Sequence, residues 1–167
     1  LAIIAPPAAP RLRPAYKVPD RPGTLYAIAT DKEAPMTSVA VLNQLPSRDR
    51  TTVGAYSQQV VEQLYTGMLN RRFSELAQKP DPPFMGAGAG RGQMVRAMEA
   101  ATLNATVKDG GIDRGLEAVF VESARVARFG FTATELDRQK RDLLRLFERA
   151  FDERDKQESA RLASQYV

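Results

Sequence analysis

The stretch TTVGAYSQQVVEQLYTGMLNRRFSELAQKPDPPFMGAGAGRGQMV, residues 51–95, decides how the fold is read. From Val53 its apolar positions run Tyr56, Val60, Val61, Leu64, Tyr65, Met68, Leu69, Phe73 and Leu76. That i, i+3/i+4, i+7 recurrence is a broad helical stripe, so one face of a long helix is expected to be buried. Thr51 or Thr52 supplies the cap, its hydroxyl accepting from the first free amides. Lys79-Pro80-Asp81-Pro82-Pro83 ends the helix, because proline lacks an amide donor and drives the preceding residue out of helical geometry. The chain then turns small and extended, with glycine at positions 86, 88, 90 and 92. Such alternation reads as a strand with one face bare of side chains, where a helix can approach closely.

Outward from this unit, Leu25-Tyr26-Ala27-Ile28-Ala29-Thr30 alternates like a strand, residues 31–35 turn, and residues 38–45 read as a second strand. Beyond the glycine strand, residues 97–108 are a further strand, with Ala101, Leu103, Ala105 and Val107 on one side. Asp109-Gly110-Gly111 turns the chain into a second helix with Ile112, Leu116, Val119, Phe120, Ser123 and Ala127 at helical spacing. Gly130 suits its C-terminal cap. A third helix opens with a capping box, Thr132 and Glu135, flanked by a Phe131/Leu136 staple. Leu136, Leu143, Leu144, Phe147 and Phe151 continue its stripe; residues 152–161 are charged before Leu162 and Tyr166 return. The pattern strand, strand, helix, strand, strand, helix, helix predicts α+β, a two-layer sandwich of one antiparallel or mixed sheet with helices on one face. Residues 1–24 hold Pro6, Pro7, Pro10, Pro14, Pro19 and Pro22 and read as a linker or strap. Residues 25–167 read as a single domain.

The composition excludes several kinds of chemistry. The 167 residues are about one domain and hold no apolar run long enough to span a membrane. Leu1 in place of a starting Met points to a piece of a longer chain, or to processing. There is no cysteine and no histidine, which removes disulfides, thiolate sites, imidazole bases, Ser-His-Asp and Cys-His constellations and His-bearing zinc sites. The 24 basic and 20 acidic residues are interspersed along the helices. No basic run interleaved with aromatics tracks nucleic acid.

The glycine run is no phosphate cradle, because Arg91 and Gln93 stand where Gly-x-Gly-x-x-Gly needs glycine, and a strand follows rather than a helix N-terminus. Glu148 with Asp152, and Asp152 with Asp155, share a helical face, but among Arg149, Arg154 and Lys156 they read as surface ion pairs. Tyr56, Tyr65 and Phe73 read as core. Catalytic, cofactor-binding and metal-binding residues are therefore all expected to be none.

Order and spacing of several passages carry a resemblance. Residues 26–34 are similar to the strand followed by Thr-Asp-Pro-Glu in the insulinase/pitrilysin-like zinc metallopeptidases, the superfamily that includes the mitochondrial processing peptidases. The passage from Leu64 to Arg71-Arg72-Phe73-Ser74-Glu75-Leu76 resembles the family's Leu-x-x-Met-Leu-x-x-Arg-x-x-Glu-Leu with one extra residue. Asp81-Pro82-Pro83-Phe84, Gly110-Gly111 and Gly130-Phe131-Thr132-Ala133-Thr134-Glu135-Leu136 also fit. Lys32 stands where the family usually has proline.

In that family each half of the enzyme is a pair of similar α+β domains, with zinc held by an inverted His-x-x-Glu-His helix in the first domain of the active half. A chain without histidine cannot be that domain. The resemblance implies the following, non-catalytic domain, continuing beyond both ends in its parent chain. It would form part of the peptide-enclosing chamber and support the zinc-bearing domain. Zinc is then expected in the parent's preceding domain and no cofactor in this segment. The implied partners are the catalytic domain and second half of the peptidase, or a partner subunit, with peptide as the parent's substrate. The implied location is the periplasm or cell envelope. An alternative is a scaffold or interaction domain of an inactive family member.

Two stability expectations follow from the sequence. Gly88→Val should overpack a strand lying under a helix and cost on the order of 1–3 kcal/mol. Truncation before Asp155 should cost little, whereas Phe147→Ala should cost roughly 3–5 kcal/mol.

Overall fold

The computed structural model describes residues 14, 16, 18, 19, 22–48, 51–156 and 159. Its order is β1 (Thr37–Pro46), α1 (Val53–Ala77), β2 (Gly86–Val95), β3 (Met98–Val107), α2 (Ile112–Phe129) and α3 (Ala133–Asp152), with a short 3-10 turn at Arg154–Lys156. The sheet is antiparallel in the order β1-β3-β2. Thr37 pairs with Val107 at one end of the β1/β3 ladder and Pro46 with Met98 at the other. The architecture is α+β, as the sequence implies.

Side chains alternate across a strand, so odd-numbered residues of all three strands share a face up to the register shift between Gln93 and Val95. That face carries Val39, Ala87, Ala89, Leu103, Ala105 and Val107, and α1 and α2 pack on it around Leu69, Phe73, Phe84, Val119 and Val126. Phe73 and Phe84 meet edge to face, ring centroids 6.2 Å apart, a favoured aromatic geometry. Gly115 lets α2 settle onto β3: a Cβ there would collide with Val107 Cγ1 and lie 3.7 Å from the Ala105 Cβ. Gly67 does the same between helices, because a Cβ there would run into the Gln139 side chain of α3.

The helix boundaries follow local chemistry. Thr52 caps α1, its hydroxyl accepting from the Ala55 N–H at 3.1 Å. Gly130, at φ +68°, ends α2. Both halves of the Thr132/Glu135 capping box are present at the start of α3. Residues 38–45, 97–108 and the glycine run are strands, as expected.

Five expectations are corrected. Residues 25–30 are not a strand: they pair with no described residue, and Leu25, Tyr26 and Ile28 are 70, 88 and 92% exposed. Alternation creates the capacity for a ladder, but a ladder also needs a partner. The glycines of β2 do not lie under a helix. Their even-numbered face points away from α1, and a Cβ at Gly88 would meet Asn104 Oδ1 at 3.0 Å instead. Along α1 only Met68, Leu69 and Phe73 are buried, while Tyr56, Val61 and Tyr65 are exposed, so Tyr56 and Tyr65 are not core. α3 has no fully buried residue: Leu136 and Leu143 are half-buried and Leu144, Phe147 and Phe151 stand exposed; its stripe is only partly covered because α3 packs on α1, not on the sheet. Finally, α3 ends at Asp152 and a 3-10 turn at Arg154–Lys156 interrupts the expected charged helix, where Arg154 stacks over Phe151 at 4.0 Å and donates to its carbonyl. Pro6, Pro7 and Pro10 of the strap, and Leu162 and Tyr166, lie outside the described residues.

Gly115→Ala is expected to cost on the order of 1–3 kcal/mol by overpacking against Val107, whereas Gly88→Val should cost less than about 1 kcal/mol because only the Asn104 side chain must move. With Phe147 41% exposed, Phe147→Ala is likewise expected to cost less than about 1 kcal/mol. Denaturant melts of the three variants check the ordering, and a Phe147→Ala loss equal to that of Gly115→Ala would contradict this packing.

Candidate functional site

Two clusters of charged side chains are built into the helix-facing side of the fold. In the first, Arg72 projects from α1 between α2 and α3. Its Nε and Nη2 donate to the two carboxylate oxygens of Glu135 at 2.6 and 3.0 Å. Nη1 donates to Glu122 at 3.0 Å, and Nη2 reaches the Gly130 carbonyl at 3.4 Å. The guanidinium also lies 5.1 Å from the centroid of the Phe131 ring, which meets Tyr65 edge to face. A bidentate fork of this kind fixes direction as well as charge. Glu122 is 4% exposed and is also approached by Arg125 at 3.3 Å, so this buried carboxylate is matched. Glu135 additionally accepts from the Thr132 N–H at 2.7 Å and hydroxyl at 2.9 Å.

These bonds favour the ionised carboxylate. The Arg72 hydrogen bond is the main cause, opposed by burial and reinforced by Thr132, and the Glu135 pKa falls from 4.5 to about 2.

In the second cluster, Arg48 and Arg91 alternate with Glu62 and Glu99 in a closed ring. Arg48 contacts Glu62 at 2.7 Å and Glu99 at 3.3 Å; Arg91 contacts Glu62 at 3.2 Å and Glu99 at 2.7 Å. Glu99 continues the core face of β3 past Ala101 and is 1% exposed. The ring thus occupies the space between the sheet and the first half of α1, where Ala87, Ala89 and the aromatic core do not reach. An open, shallow depression lined by Ser57, Gln58, Val61 and Glu62 adjoins the second cluster, and the buried carboxylates Glu99 and Glu122 are each engaged by two arginines. Both join elements rather than present a reactive group.

The residues weighed in the sequence are dispersed. Glu148 and Asp152 line a shallow depression on α3 with Asp142, Arg145 and Arg149. Asp155 lies 3.6 Å from Arg154. The glycine run is mid-strand and opens onto no helix. Among the described residues no three carboxylates converge as a metal site. Arg72, Glu99 and Glu122 were missed in the sequence, although a signal exists for each. Glu99 shares the parity of Ala101, Leu103 and Ala105. Glu122 falls between Val119 and Val126 on the buried stripe of α2. Arg72 adjoins Phe73 three positions after Leu69.

The pH dependence of the Arg72 cluster has a definite sign. A carboxylate whose pKa is lowered on folding adds stability above its unfolded value and loses it as pH falls through the folded one. Wild type should therefore exceed Glu135→Gln by on the order of 2–3 kcal/mol above pH 4.5, the margin shrinking as pH falls toward 2. Urea melts across that range check this, and a margin independent of pH would contradict it.

No protein-family model matches the chain. It is 23% identical over 154 residues to a "Zinc protease PQQL-like" of Arabidopsis thaliana, covering 92% of this chain and 13% of that protein. Its fold is similar to the crystal structure of the first half of the periplasmic protease PqqL from Escherichia coli, with a TM-score of 0.73 and 21% identity. That match covers 81% of this chain and 29% of the solved one. The whole PqqL structure gives a TM-score of 0.71 at 22% identity, with 16% of it covered. The chain thus spans a small part of each protein it matches. It is homologous to part of a PqqL-like zinc protease of the insulinase/pitrilysin-like family, and it carries the PqqL fold.

Proposed function

We propose that this chain is a non-catalytic domain of an insulinase/pitrilysin-like zinc endopeptidase, where it forms part of the peptide-enclosing chamber and supports the zinc-bearing domain. One observation carries the reading: a zinc-protease fold over most of the chain is combined with a sequence lacking any histidine or cysteine. The residues present do not fit zinc. Such a site draws on histidine, cysteine and carboxylate ligands held together, and here the buried carboxylates Glu99 and Glu122 are already engaged by arginines. Zinc therefore belongs to a preceding domain of the parent in this reading.

The helix surfaces support an architectural role. α3 exposes Leu144, Leu146, Phe147 and Phe151, and the first half of α1 exposes Val53, Tyr56 and Val61. Apolar faces of that extent mark contact with further protein, here the catalytic domain and the second half of the peptidase. Placement in the periplasm or cell envelope follows the PqqL neighbours.

The purified 167-residue chain should retain no stoichiometric zinc after dialysis and should not cleave an unstructured peptide, while the longer protein should do both. Metal analysis and a peptide-cleavage assay, each with and without chelator, read this out. Zinc held by the 167-residue chain would overturn the non-catalytic assignment. A longer protein with neither zinc nor cleavage would instead make the domain a scaffold in an inactive family member.

A further inference from the structure

The two edges of the sheet are treated differently. At β2 the outer edge is closed by Asn70 of α1, whose side-chain amide accepts from the Ala89 N–H at 2.7 Å and donates to the Ala89 carbonyl at 3.0 Å. The amide stands in for one residue of a neighbouring strand. At β1 no described residue pairs with the outer edge, and the strand lacks the devices that blunt an edge. Its ten residues, TSVAVLNQLP, hold no charge, and proline appears only at the last position.

An apolar ledge overhangs this open edge. Successive residues turn by about 100° around a helix, so Leu116, Phe120 and Ala127 lie on the flank of α2 opposite Glu122 and Arg125. Glu122 points to Arg72 of α1, and α1 lies on the β2 side of the sheet while α2 contacts β3 and β1. The Leu116/Phe120 flank therefore overlooks the β1 edge, and Phe120 is 45% exposed there.

The chain also holds an unpaired segment with a strand-like sequence. Residues 25–30 are uncharged and alternating, form no secondary structure, and pair with nothing described. The turn that follows is ordered: the Glu33 N–H donates to Asp31 Oδ1 at 2.9 Å and the Ala34 N–H to the Asp31 carbonyl at 3.2 Å. Although only this turn separates the segment from β1, it does not fold back onto its own edge. A segment of strand-like sequence held off its own sheet by a short ordered hinge is the arrangement that leads to exchange between copies.

We propose that two copies of this chain associate by reciprocal strand exchange, residues 25–30 of each adding to the outer edge of β1 of the other. Neither strand carries charge, so pairing meets no like-charge repulsion. Tyr26 and Ile28, on one face of the incoming strand, would then cover the Leu116/Phe120 ledge. This surface is independent of the peptidase reading, which needs no second copy.

Light scattering over about 10–500 μM should show a monomer–dimer equilibrium for the 167-residue chain. Ile28 is 92% exposed, so Ile28→Lys should leave the monomer's thermal melt unchanged while raising Kd about tenfold or more. Because the chain has no cysteine, pairing can be trapped by oxidation. An Ile28→Cys chain mixed with chains carrying cysteine at Val39, Ala40 or Val41 should yield a disulfide-linked heterodimer. A monomer throughout the range, a dimer indifferent to Ile28→Lys, or a cross-link forming only within a doubly substituted chain would each overturn the exchange.

Discussion

A guanidinium packed among three helices loses most of its water, and it is tolerated when its donors find acceptors in fixed directions. Arg72 meets that condition with five bonds and contacts: two to Glu135, one to Glu122, one to the Gly130 carbonyl, and the face of Phe131. Each partner belongs to a different part of the helical layer. Glu122 lies on α2, Gly130 ends it, and Glu135 closes the capping box of α3. The direction of α3 is therefore set by charge. It has no fully buried residue of its own, and its other ties to α1 include the Gln139 contact over Gly67 and the 3.8 Å approach of Asp142 to Arg71.

The same division runs through the sheet. Beneath the second half of α1 the contact is apolar, with Leu69 and Phe73 over Ala87, Ala89 and Ala105. Beneath the first half it is the four-membered ring of Arg48, Glu62, Arg91 and Glu99. Removing either arginine would take one of the charged partners from the buried Glu99, a loss that destabilises because the carboxylate stays out of water. Charge pairs join the elements here, while apolar side chains on α1 and α3 stay exposed. That combination suits a domain that holds its shape as a building block of something larger.

Much of this was legible in the sequence. The cap at Thr52, the proline stop after Ala77, the capping box and Gly130 are local signals, because each depends on residues within one turn. Strand parity was legible on β3 for the same reason. What failed depended on a partner. Residues 25–30 have strand alternation without a ladder, and α3 has a helical stripe without a core beneath it. The face turned by the glycines of β2 depends on register against β3, which one strand does not reveal. The missed charge clusters are of this kind too. Glu99 and Glu122 sit at apolar positions of their own elements, and only the arrival of Arg48, Arg91 and Arg72 from elsewhere makes those positions tenable. The exclusion of imidazole and thiolate chemistry followed from composition, since the chain contains neither histidine nor cysteine.

The most direct measurement on the account is residue-resolved hydrogen exchange on Arg72→Met, a substitution that keeps apolar bulk and removes every directed bond. If Arg72 orients the helical layer, amides of α3 and the last turn of α2 should lose protection by about a hundredfold or more, while the β1-β3-β2 ladder stays protected. An α3 as protected as in wild type would contradict the account, because the helix would then be held by something other than this guanidinium.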